Sequence, residues 1–197
     1  MQSFKKIRDL LRIGGSGGIA KRYMVMNSFD GSLTALGIII GSWLVPVQDA
    51  RVVLVAGLGA SIAMGVSGAF GAFLTESAVK KEEMAEIESA MLEELENTVH
   101  SRAAAWSSLF VAVVDGISPF LAASISFLPF IAGLLFVWDI QTSYIASIFL
   151  TAFSLFLLGA YLGRISGENF VNYGFKMIIA GIVTGIMVFF VEALSHG

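Results

Sequence analysis

The chain has 197 residues; 56% are hydrophobic, only 14% are charged, and the mean hydropathy is +0.83. A soluble domain carries about 25% charged residues, so this chain lacks the charge to cover a surface that faces water. The net charge of −3 gives no support for nucleic-acid binding, and the absence of cysteine excludes disulfides and thiolate metal sites.

In chain order, the first segment is basic. Met1–Arg22 has no apolar core and no cleavage site, so it reads as a cytoplasmic flank and not as a signal peptide. Phe4, Ile7 and Leu11 share one helical face there, with Lys5, Arg8 and Arg12 away from it. Gly14–Gly18 is expected to act as a flexible joint. Beyond it the charges are missing in blocks, from Gly31 to Gln48, Val52 to Thr75, Gly116 to Trp138 and Ile140 to Gly163, with a shorter gap from Met177 to Val191. A helix needs about 20 apolar residues to cross a bilayer. The pattern predicts an all-α polytopic membrane protein with five spans, at Met24–Val45, Val52–Thr75, Ala103–Phe130, Ser143–Leu162 and Phe175–Leu194. Pro119 and Pro129 are expected to bend the third span and end it near Pro129, with a short re-entrant or outer segment after it.

The second span has no stop signal. Phe73–Arg102 contains neither Pro nor Gly, and Glu76–Val99 is made of strong helix formers, so the helix is expected to run on as an acidic helix or hairpin. Eight of the fifteen acids lie here: Glu76, Glu82, Glu83, Glu86, Glu88, Glu93, Glu94 and Glu96. Met84, Ile87, Met91 and Leu95 form an apolar stripe that needs a partner, for which a second copy of the chain is the obvious candidate. The organisation is therefore a basic segment (1–22), two spans (23–75), an acidic segment (76–102) and three further spans (103–197).

Basic residues mark the cytoplasmic side. With the N-terminus inside, eleven of the twelve Lys and Arg residues fall inside and only Arg51 falls outside, which puts the C-terminus outside. Two acids break the apolar runs, Asp30 in the first span and Asp115 in the third, and each is followed by glycine. Ionisable residues in a span are costly and usually mark an ion path or a proton relay. Met64 in the second span is a further candidate, since a thioether is a soft ligand for a transition metal.

Several segments resemble the vacuolar iron transporter family. Asn27–Thr34, continuing to Gly41, is similar to that family's first span, and Ser61–Met64 to its S-M-A element. Glu76–Glu96 stands where the family carries its cytoplasmic metal-binding domain. Gly116–Phe130 resembles its proline-containing third span, and Gly163–Gly167 with Gly174–Gly181 its last turn and last span. The family's G-E-Y element has no counterpart, since Ser67–Phe73 contains no glutamate. The resemblance implies a homodimer with the path between subunits and Fe²⁺ or Mn²⁺ moving out of the cytoplasm in exchange for protons; the expected location is the cell membrane. On that basis Asp30 and Met64 line the path, with Asp115 as a replacement carboxylate. Glu76, Glu82, Glu83, Glu86 and Glu93 capture metal first, with Met84 and Met91 assisting.

The residues alone give the same chemistry a physical basis. Hard cations seek oxygen ligands, and protons compete for the same carboxylates, which is what antiport requires when access alternates. The expectation is a transporter rather than an enzyme, with Fe²⁺ or Mn²⁺ as cargo and no resident cofactor. One rival is an intramembrane aspartyl protease with Asp30 and Asp115 as its dyad, although the G-x-G-D pattern of such enzymes is absent. Another is a metal sensor or membrane scaffold that binds metal without moving it.

Overall fold

The computed structural model describes residue 11 and residues 16–91, 98–136 and 138–195. Among these it contains five helices: α1 (Ser16–Leu44), α2 (Ala50–Met91), α3 (Val99–Phe136), α4 (Ile140–Ile165) and α5 (Phe170–Ser195). Each is long and apolar enough to cross a membrane, so the protein is an all-α polytopic membrane protein. Large apolar side chains such as Val55, Phe70, Phe149 and Leu194 stay exposed, as they must where the surrounding medium is lipid.

Short polar residues start the helices by accepting from backbone N–H groups that have no partner in the first turn. Asp49 Oδ1 accepts from Arg51 N at 2.9 Å before α2, and Thr98 Oγ1 from Ser101 N at 3.3 Å before α3. Asp139 accepts from Gln141 N at 3.2 Å before α4, and Asn169 Oδ1 from Val171 N at 2.9 Å before α5. Gly167, at φ 71°, takes the left-handed turn after α4, and Glu168 N closes it on Gly163 O at 2.9 Å.

Two expectations change, and one alternative is resolved over the described residues. Ser16, Gly17 and Gly18 belong to α1 and are not a joint, while Gly14 and Gly15 lie outside the described residues. Glycine costs about 1 kcal/mol in a helix, less than is gained by continuing the hydrogen-bond ladder of the span. The third helix does not end near Pro129 but runs to Phe136 with both prolines inside it. A membrane helix absorbs a proline because a freed carbonyl facing packed neighbours or a serine is less costly than ending the ladder in lipid. The extension of the second helix has no break or hairpin up to Met91; α2 is 42 residues long, about 63 Å at 1.5 Å per residue. The amphipathic pattern of Phe4 and Ile7, and the positions of Glu93, Glu94, Leu95 and Glu96, lie outside the described residues.

The chain divides into two compact units. Unit 1 comprises residues 1–24 and 65–117, and unit 2 residues 25–64 and 118–197. In unit 1, α2 and α3 meet through small residues: a Cβ on Gly116 would lie 2.7 Å from Ala69 Cβ and 2.8 Å from Gly65 O. Close backbone approach of this kind is how helices associate in lipid, where burial in water no longer drives them together. Ala20, Ala72, Val111 and Ala112 pack beside that contact.

Unit 2 has a larger core of Ala35, Ile39, Val53, Leu54, Ala123, Phe127, Phe130 and Tyr144. Tyr144 donates to Val47 O at 2.9 Å, lies edge-on to Phe130 at 5.0 Å and stacks on Trp43 at 6.1 Å. Gly31 lies against the backbone of Pro119, where a Cβ would come within 2.7 Å of its Cα. On the α4–α5 hairpin, a Cβ on Gly159 would lie 2.7 Å from Gly174 Cα and one on Gly163 2.9 Å from Phe170 Cα.

Candidate functional site: buried carboxylates of unit 1

Two acids of unit 1 are buried within the protein, Asp115 in the third apolar span and Glu76 where the second span passes into its acidic extension. Glu76 on α2 exposes 6% of its surface and Asp115 on α3 exposes 3%. Glu76 continues the small-residue face of α2 that includes Gly65 and Ala72, so the helical period itself turns it inward. The Tyr23 hydroxyl, on α1, donates a hydrogen bond to the Glu76 carboxylate. Tyr23 also lies within electrostatic range of Asp115 and Arg22. Ser107 and Ser108 of α3 are buried in the same unit.

Burying a charged side chain without a partner costs several kcal/mol. A hydrogen bond to a charged group returns about 1.5–3 kcal/mol, so Tyr23 offsets part of the cost of burying Glu76. The two carboxylates do not surround one point. Gly116, next to Asp115, meets Ala69, and Glu76 follows Ala69 by seven residues, about 10 Å of helix rise. The arrangement is two steps along unit 1 with a phenol reaching one and influenced by the other. A carboxylate has about four lone-pair positions, so Glu76 keeps acceptor capacity beyond the bond from Tyr23.

The other predicted site residues are distributed differently. Glu82, Glu83 and Glu86 are exposed on the α2 extension, and Glu83 pairs with Lys80 at 2.7 Å. Met84 is half-buried in a cleft of about 440 Å³ lined also by Lys80, Glu88, Ser101 and Ser108, whereas Ile87 and Met91 are exposed. Among the described residues no three His, Asp or Glu side chains are grouped as a bound metal would need, and Glu93 lies outside those residues. Asp30 and Met64 belong to unit 2. Met64 is half-buried; Asp30 is exposed on α1 and forms no hydrogen bond or ion pair with any described residue. Tyr23 escaped the sequence pattern because it follows Lys21 and Arg22 and reads as part of a basic flank.

No family model matches the chain. The chain is 34% identical over 183 residues to the uncharacterized protein MJ0645 of Methanocaldococcus jannaschii, a match that covers 91% of each protein.

Proposed function

The chain belongs to the family of this archaeal protein, and we propose that it is a divalent-metal transporter that moves Fe²⁺ or Mn²⁺ out of the cytoplasm against protons. The observation that carries the proposal is the pair of buried carboxylates, Glu76 and Asp115, placed on two helices of unit 1 with Tyr23 bonded to one of them. Oxygen donors suit hard cations. Metal and protons compete for the same oxygens, so arrival of one releases the other. The exposed Glu82, Glu83 and Glu86 raise the local cation concentration beside this route. The resemblance of the spans to vacuolar iron transporters supports the same cargo and a cytoplasmic N-terminus.

Asp30 completes the proposal. An exposed carboxylate within an apolar span needs a partner other than lipid, and a second copy of the chain laid on α1 would enclose it. The transporter is accordingly a homodimer, with Asp30 and Met64 lining a shared path.

The test is Fe²⁺ and Mn²⁺ uptake into proteoliposomes, with and without a proton gradient, for the wild type, Glu76→Gln, Asp115→Asn and Asp30→Asn. Gradient-driven flux that these substitutions abolish supports the proposal. Folded protein that binds metal but moves none points instead to a membrane sensor, a reading favoured by the exposed Ile87 and Met91 on the α2 extension. Flux that does not depend on the proton gradient points to a channel.

A further inference from the structure

Unit 2 contains three serine hydroxyls that are fully enclosed and bonded to nothing described: Ser32 on α1, Ser126 on α3 and Ser147 on α4. A helical serine ordinarily returns its proton to the carbonyl one turn back. Its neighbours on α4 do so: Thr151 donates to Ser147 O at 2.7 Å and Ser154 to Thr151 O at 2.9 Å. Ser147 ends this ladder with its hydroxyl unpaired.

The three positions belong to one polar seam. Gly133 of α3 meets Ser143 of α4. Two turns farther from the α3–α4 turn on each helix stand Ser126 and Leu150, so Ser126 lies at the level of Ser147 and Thr151. One turn beyond, Ser28, Ser32 and Ser154 give a polar side to an otherwise apolar cleft of about 270 Å³, whose remaining wall is Ala122, Ile125 and three leucines. From Ser143 to Ser154 the hydroxyls of α4 cover about 16 Å of helix, roughly half of a ~30 Å hydrocarbon core.

An unpaired buried hydroxyl costs about 1–3 kcal/mol, and lipid offers it no partner. Native proteins meet such groups with internal water, which needs two to four polar partners and about 30 Å³ of space per molecule. The cleft, which reaches Ser32 and stops one turn short of Ser126 and Ser147, has room for several. No charged side chain lines it, so the hydroxyls of Ser28, Ser32 and Ser154 offer neutral donors and acceptors that suit water rather than a bare cation. We propose that the seam of Ser32, Ser126 and Ser147 is a water-binding site, a hydrated route within unit 2 at bilayer depth. It stands independently of metal transport.

The native chain contains no cysteine, so single-cysteine variants report without background. Full-length Ser32→Cys, Ser126→Cys and Ser147→Cys in liposomes are exposed to aqueous Ag⁺, with Ala123→Cys and Leu155→Cys as buried apolar controls. The seam thiols are expected to react about tenfold faster, equivalent to about 1.4 kcal/mol of easier access; reaction no faster than the controls overturns the proposal. A second measurement covers variants that fold poorly. Ser126→Ala and Ser147→Ala lower the melting temperature if water holds the hydroxyl. A rise, as relief of a dry unpaired group produces, or an unchanged value overturns it.

Discussion

Tyr23→Phe isolates the bond that keeps Glu76 inside unit 1. The substitution removes one oxygen and keeps the ring beside Ala20, Ala72, Val111 and Ala112. A hydrogen bond to a charged group is worth about 1.5–3 kcal/mol; because Tyr23 is only half-buried, the lower half of that range, about 1.5–2 kcal/mol, applies. For a chain of this size each kcal/mol corresponds to about 2–4 °C, so the melting temperature in nanodiscs should fall by about 3–8 °C. The decisive comparison is the same change in a Glu76→Leu background. No acceptor remains there, the phenol itself becomes the unpaired group, and Tyr23→Phe should then be neutral or stabilising. A loss of the same size in both backgrounds means that Tyr23 contributes through packing, and refutes the assignment of its hydroxyl to Glu76.

Gly116→Ala should be among the most damaging single-methyl changes, since the new Cβ meets Ala69 and the Gly65 carbonyl rather than a movable side-chain end; about 1–3 kcal/mol lost to overpacking would appear as a lower melting temperature and reduced folded yield. Tyr144→Phe keeps both ring contacts but leaves Val47 O without its donor, and should cost about 1 kcal/mol by thermal unfolding. Glu82→Gln with Glu86→Gln should leave stability within about 0.5 kcal/mol, as expected for exposed positions, while lowering metal uptake at low metal concentration. If uptake does not change, these glutamates have no part in capture.

Much of the architecture was legible because a bilayer leaves a coarse signal. Five charge-free runs, each flanked by enough apolar sequence to reach about 20 residues, read as five crossings. The errors came where local preference competes with that demand. Pro129 and the Gly17–Gly18 pair both read as interruptions, yet each lies inside a helix; at Pro129, ending the backbone ladder in lipid costs more than the proline does. Asp115 was legible as an acid in an apolar run. Glu76 was visible but misgrouped: counted with seven neighbouring acids of one run, it turned out to be buried while Glu82, Glu83 and Glu86 are exposed. The signal that separates it is phase, since four residues back lies Ala72 and seven further back lies Gly65. The unpaired hydroxyls of Ser126 and Ser147 left no trace in composition, because serine is unremarkable in a membrane helix until its partners are counted.

The glycine-lined contact of α4 and α5 bears on how the chain is made. The two helices are joined by a turn only a few residues long and meet backbone to backbone at Gly159, Gly163 and Gly174. The α5 helix is the most apolar of the five and keeps most of its surface for lipid, whereas α4 carries Ser143, Ser147, Thr151 and Ser154. Both helices are apolar enough to enter the bilayer, α5 the more so. A hairpin already closed along its glycines can leave the insertion machinery as one body.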